Sequence, residues 1–127
     1  MTITIYSLLD DKLPLIKNVI MISEEREKST QDYKEKEVEL YRLLGRIEFE
    51  DLKTIQTIMY IGRELNGDVY NSALDSFMSM RNSLGDNPNN KDDDAYFIAT
   101  KRPLHKYLKN GLVRLGFWNS NKISKTE

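Results

Sequence analysis

Tyr60 and Arg63 lie one helical turn apart in "IQTIMYIGRE" (55–64), with Gln56 one turn earlier. Their types and spacing suit binding chemistry better than any others in the chain. A guanidinium presents a planar fork of donors that meets a carboxylate or phosphate through two parallel hydrogen bonds. Arg102, in "TKRPLHKYLKNGL" (100–112), adds a second cation of the same kind. Gln56, Tyr60, Arg63 and Arg102 are therefore the candidate ligand-binding residues, and their ligand class is a small anion such as a nucleotide. A structural alternative stands beside this. A cation in the last turn of a helix is favoured by the macrodipole by ~0.3–1 kcal/mol, and Arg63 then pairs with Glu64 or another acidic neighbour.

No catalytic or metal-binding set is legible. His105 is the sole histidine, so no His-His or Glu-x-x-His metal site can form, and no orienting carboxylate lies at helical spacing beside it. Asp92, Asp93 and Asp94 are consecutive. On a helix they fan out by ~100° each, which suits a helix start better than a shared metal. Glu35 with Glu39, and Glu48 with Asp51, read as solvated carboxylates. There is no cysteine, hence no thiolate ligand, nucleophile or disulfide. Glycine-rich phosphate loops and nucleophile elbows are missing too. The expectation is a non-catalytic protein with neither cofactor nor metal.

A chain of 127 residues with 31% charged and 39% hydrophobic residues fits one soluble domain. The formal net charge of −1 argues against wholesale nucleic-acid binding. That charge is unevenly spread. Residues 1–100 carry 12 Lys and Arg against 19 Asp and Glu, while residues 101–127 carry seven basic residues against one acidic residue. The segment either docks on an acidic body or offers a basic surface to an anionic partner, nucleic acid being the least favoured partner. The longest strongly apolar run, "VIMI" at 19–22, is far short of a bilayer span. The start has no signal-peptide pattern, and a cytoplasmic location is expected.

The elements that would position these residues read as helices. "TITIY" (2–6) alternates like a strand but has no partner strand. Asp10 and Asp11 are cap candidates for a helix over 11–28, with Leu13, Leu15, Ile16, Val19, Ile20 and Ile22 as its apolar side. A helix over 34–46 shows Val38, Tyr41 and Leu44. One over 49–64 shows Leu52, Ile55, Ile58, Met59 and Ile61, with Lys53, Gln56, Thr57 and Tyr60 on its polar face. "LNGD" (65–68) is a turn, and Asp68 a cap for a helix over 69–84 with Val69, Ala73, Phe77, Met80 and Leu84 inward and Gly85 as its stop. After the polar loop 85–94 come a helix on "AYFIATK" and a last one over 103–115 that starts at Pro103.

That last helix resolves the ambiguity of its basic residues. Leu104, Leu108, Leu112 and Leu115 share one side with Gly111, while Lys106, Lys109 and Asn110 point away. A mid-helix glycine costs ~1 kcal/mol against alanine, so it marks a close backbone approach.

"YFIATKRPLHKYLKNGL" (96–112), "FEDLKTIQTIMYIGRE" (49–64) and "LPLIKNVIMISEERE" (13–27) together resemble a small bacterial family catalogued only as a domain of unknown function. The likeness spans 13–115. Its marks are Gly62 before Arg63 and the series Pro103, Leu104, Tyr107, Leu108, Gly111 and Leu112. Glu64 follows Arg63 where the family usually reads glycine. The resemblance implies no activity.

The sequence thus predicts an all-α domain of five to six short helices over 1–117, with a polar C-terminal tail at 118–127. Its expected role is interaction or regulation through a protein partner or a second copy of itself.

Overall fold

The computed structural model describes residues 4–28, 31–63 and 72–117. Among these the chain is all-α and forms one domain. Seven α-helices follow one another: α1 (Ile5–Leu9), α2 (Leu13–Lys28), α3 (Tyr33–Arg46), α4 (Phe49–Arg63), α5 (Ala73–Ser83), α6 (Lys91–Ala99) and α7 (Leu104–Arg114). Short 3₁₀ turns at Asp10–Lys12 and Pro88–Asn90 lead into α2 and α6.

The amino end differs from the sequence expectation. Ile5 and Tyr6 belong to a helix, because Thr4 and Ser7 form a capping box: the Ser7 N–H donates to Thr4 Oγ1 at 3.0 Å, and the Thr4 N–H to Ser7 Oγ at 3.0 Å. Two backbone donors are satisfied at once, which outweighs a five-residue alternation that has no sheet to join. Asp10 and Asp11 then sit inside a 3₁₀ turn rather than capping α2. Tyr6 packs on Phe117 at a ring-centroid distance of 4.9 Å, and its hydroxyl donates to the Gly116 carbonyl at 3.2 Å. Gly116, at φ +88°, ends α7 in a Schellman turn: its N–H donates to Val113 O, and that of Phe117 donates to Leu112 O at 2.9 Å. The first and last described elements are thereby joined.

α4 is the centre. Residues 52–59, 61 and 62 are all buried, because α7, α5 and α6 pack around it. Leu52, Ile55, Ile58, Met59 and Ile61 lie in the core as their spacing predicts. The supposedly polar face is buried as well. Lys53 is 3% exposed and its Nζ meets Asp94 Oδ2 of α6 at 2.8 Å and Gln56 Oε1 at 3.1 Å. Thr57 returns its hydroxyl to the Lys53 carbonyl at 2.7 Å. Each polar group enters the core with a partner, as burial requires.

α3 also differs in phase. Leu40 and Leu44 are buried, whereas Val38 and Tyr41 face outward. α5 begins at Ala73 under the Ser72 cap, whose Oγ accepts from the Asp75 N–H. The turn at 65–68, Asp68 and Val69 lie outside the described residues. Phe77 is buried in α5 with Ala73, Met80 and Leu84 partly so, and Gly85 at φ +80° follows its end. Arg81 ties α5 to α4 through two bonds of 2.9 Å to the Glu50 carboxylate. α6 starts four residues earlier than "AYFIATK" indicates, so Asp92, Asp93 and Asp94 occupy its first turn, where negative charge is favoured. Pro103 is the residue before α7 rather than its first turn.

Leu104, Leu108, Leu112 and Leu115 are all buried, and Gly111 faces α4. A Cβ on Gly111 would overlap the Ile58 carbonyl oxygen and stand 2.7 Å from Ile58 Cγ2. The reciprocal position is Gly62. A Cβ there would overlap the Tyr107 carbonyl oxygen and lie 2.7 Å from the Gly111 nitrogen. Two glycines, one on each helix, let the α4 and α7 backbones touch.

Gly111→Ala sets a helix-propensity gain of ~1 kcal/mol against this overlap. The obstruction is backbone on both sides and cannot swing away, so crowding wins. The variant is expected to lose ~1–3 kcal/mol in urea denaturation. A variant as stable as the parent would contradict the backbone contact.

Candidate functional site

α6 stands between α3 and α4, and its consecutive aromatics serve different neighbours. Tyr96 meets Tyr41 of α3, with centroids 6.0 Å apart and planes at 84°. Phe97 meets Tyr60 of α4 at 6.2 Å and 31°. Each ring of the second pair carries a cation. The Arg63 guanidinium lies 5.1 Å from the Tyr60 centroid, and Lys101 Nζ lies 3.8 Å from that of Phe97. Positive charge over a ring face is attracted by the aromatic quadrupole.

Of the four candidates, the structure brings Tyr60 and Arg63 together and separates the other two. Gln56 is 5% exposed and accepts from Lys53, so it faces the core rather than a ligand. Burial holds the Tyr60 hydroxyl above its ordinary range with help from Asp94, while Arg63 and, least, Gln56 oppose it. Tyr60 is thus a neutral platform at physiological pH. Arg102 points to the opposite side of the α6–α7 connection. It covers the Tyr33 ring at 4.4 Å and pairs with Glu27 at 3.3 Å.

Lys101 takes the place expected of Arg102. The relation joins residues 38 positions apart, yet a local signal was present: Phe97 and Lys101 are four apart and Tyr60 and Arg63 three apart, both spacings that put an aromatic and a cation on one helical face. Lys101 is fixed from behind. Arg26, 0% exposed, donates through Nη1 to the Ala99 carbonyl and to Glu37 Oε1 at 3.1 Å, and through Nη2 to the Lys101 carbonyl at 2.6 Å. One guanidinium from α2 thereby holds the end of α6 and a side chain of α3. Burial, and to a lesser degree the nearby charge of Arg63, hold the Lys101 ammonium below the usual lysine range.

Arg63 does lie in the last turn of α4, where the helix dipole favours a cation, and a second cation joins it there. Arg114 of α7 donates to the Ile61 carbonyl at 3.1 Å. Glu64 lies outside the described residues.

His105 belongs to a structural cap. Pro103 supplies no capping side chain. Instead Ser23 of α2, fully buried, accepts the His105 backbone N–H at 3.0 Å. Its own proton is then available to His105 Nδ1 at 3.2 Å, which places the ring proton on Nε2. Beside it, Lys109 pairs with Glu24. Both part of the basic segment and the α2 acids are thus used in docking α7.

Among the described residues no group of three His, Cys, Asp or Glu side chains could hold a metal, and no helix is long and apolar enough to cross a membrane. No family model, curated protein or solved structure matches the chain. The chemistry of the site therefore has to be read from its own residues.

The cap gives a pH dependence with a definite sign. Burial first, with Lys109 and Lys106 adding to it and Glu24 and Glu27 opposing, lowers the His105 pKa from its ordinary 6.5. Above that value both folded and unfolded chains hold a neutral ring. As pH falls through it, the unfolded chain takes the proton first, and stability is lost. Thermal denaturation between pH 7 and pH 5 is expected to show a smaller decline for His105→Gln than for the parent. Equal declines would contradict the assignment.

Proposed function

We propose that the protein is a non-catalytic interaction protein that pairs with a second copy of itself through the α3–α6 face. One observation carries this reading: Val38, Tyr41 and Tyr96 are exposed together, Tyr96 to 62%. Large apolar side chains gathered on one face mark an interaction surface more often than scattered ones do. Tyrosine suits such a surface, because it offers a large contact area with a polar tip and only two side-chain torsions to immobilise.

The relief of the face favours a second copy over an unrelated partner. Tyr41 and Tyr96 form a ridge. Next to it, α3 borders a trough of about 450 Å³ lined by Lys34, Glu35, Val38, Glu39, Arg42 and Arg46. In a two-fold pairing the same patch meets itself, so it must hold both a protrusion and the hollow that receives it. The trough also carries both signs of charge, which a rotated copy can match acid to base. Support for a non-catalytic role comes from the one serine–histidine pair: the Ser23 hydroxyl is buried and engaged in capping α7.

Sedimentation over a wide concentration range is expected to show monomer and dimer in exchange. Tyr96→Ala removes an exposed ring from both sides of the axis and is expected to weaken pairing by ~2 kcal/mol or more, while the monomer loses no more than the ~1 kcal/mol of its contact with Tyr41. A parent that stays monomeric at every concentration would overturn the reading.

A further inference from the structure

We propose that Arg63 and Lys101 form a binding site for a phosphoryl group at the corner between the end of α4 and the α6–α7 connection. The site lies on the α4 side of α6, away from Tyr41, and does not rest on the self-association reading.

The inference begins from what the two cations lack. Most buried or half-buried basic side chains around them are matched: Lys53 has Asp94, Arg26 has Glu37, Arg81 has Glu50 and Lys109 has Glu24. Among the described residues, neither the exposed Arg63 nor the half-buried Lys101 has a carboxylate within ion-pair distance. Their charges are nonetheless brought to one corner, each laid over an aromatic ring, and the two rings adjoin. Like charges held together repel, and this adds to the burial that already eases proton loss from the Lys101 ammonium. The last turn of α4 already receives a second cation, since Arg114 takes the Ile61 carbonyl. An anion placed between the two cations removes the repulsion and replaces it with two attractions.

The charge and donor types select the class. A carboxylate carries one negative charge and leaves one cation unmatched. A phosphate monoester carries about −1.5 to −2 at pH 7 and several acceptor oxygens, which answers both. The guanidinium offers a planar fork to two of those oxygens, and the ammonium offers a point charge to a third. Tyr60 and Phe97 form an apolar floor that keeps water from one side of the cations, so their attraction is screened less than at an open surface. The Arg26 grip on the Lys101 carbonyl and the Tyr60–Phe97 ring contact hold this arrangement ready before any ligand arrives.

The test is a titration of the full chain in chloride buffer with inorganic phosphate and, separately, with a short phosphoserine peptide. Nuclear magnetic resonance follows the Arg63 and Lys101 side chains. Both probes carry the same group, and the tighter one identifies its source as a free metabolite or a modified protein. Saturable shifts at both side chains are expected. Arg63→Lys keeps the charge but loses the fork, and Lys101→Met keeps the length but loses the charge. Each should weaken binding about tenfold or more while leaving the melting temperature near that of the parent. Lys106→Met, on the exposed side of α7, should leave binding unchanged. Binding should also fade as pH rises, earlier than for a lysine of ordinary pKa. Absence of saturable shifts with both probes would overturn the proposal. So would binding that survives Arg63→Lys and Lys101→Met, or a loss in Lys106→Met as large as theirs.

Discussion

The contact of two helix backbones at Gly62 and Gly111 is the constraint on which the rest of the structure depends. α4 and α7 approach more closely than any side chain permits, and α2, α5 and α6 each pack against one of the pair. Close approach lets Ile58 and Leu108, and Met59 and Leu112, fill the core on either side of the crossing at full burial. Arg63 follows Gly62 directly, so its guanidinium emerges near the α6–α7 connection. The candidate anion site is in this sense a by-product of helix packing.

Polar ties from α2 complete the arrangement. Arg26 and Ser23 project from one helix toward the two ends of the α6–α7 connection: Arg26 takes the carbonyls of Ala99 and Lys101, and Ser23 takes the His105 amide in the first turn of α7. Helix ends leave four unmatched groups each, and a short connection between two helices concentrates them. Supplying partners from a third helix removes the need for a local cap and locks the register of three elements together. Breaking such a buried charge contact leaves the remaining groups stranded, which costs far more than an exposed pair is worth.

The parts that were legible in the sequence are those where one helix side alone decides the outcome. Gly111 amid Leu104, Leu108, Leu112 and Leu115 pointed to close helix packing ahead of a ligand, and the apolar side of α4 was plain. The opposite side of α4 was not, because periodicity shows which face is most apolar and not how many neighbours a helix has. Lys53, Gln56 and Thr57 read as solvated, yet they are buried with partners drawn from α5, α6 and their own helix. α3 was out of phase for a related reason. Val38, Tyr41 and Leu44 and the alternative Leu40 and Leu44 are equally good stripes, and only the position of α6 chooses between them. At the site, Tyr60 and Arg63 could be read from spacing on one helix. The pairing with Phe97 and Lys101 required knowing that α6 lies against α4, and Arg102, adjacent to Lys101 in sequence, turns to the other side of the chain.

Native-state hydrogen exchange tests the central claim most directly. If α4 and α7 form one inseparable unit, the amides of Ile58, Met59, Leu108 and Leu112 should exchange only through global unfolding, with matching protection and the same sensitivity to denaturant. α1 and α5, which are attached at the edge, should open at lower free energy. Exchange of the α7 amides through a local opening, while those of α4 remain protected, would show that the crossing is a contact among others and would contradict the account.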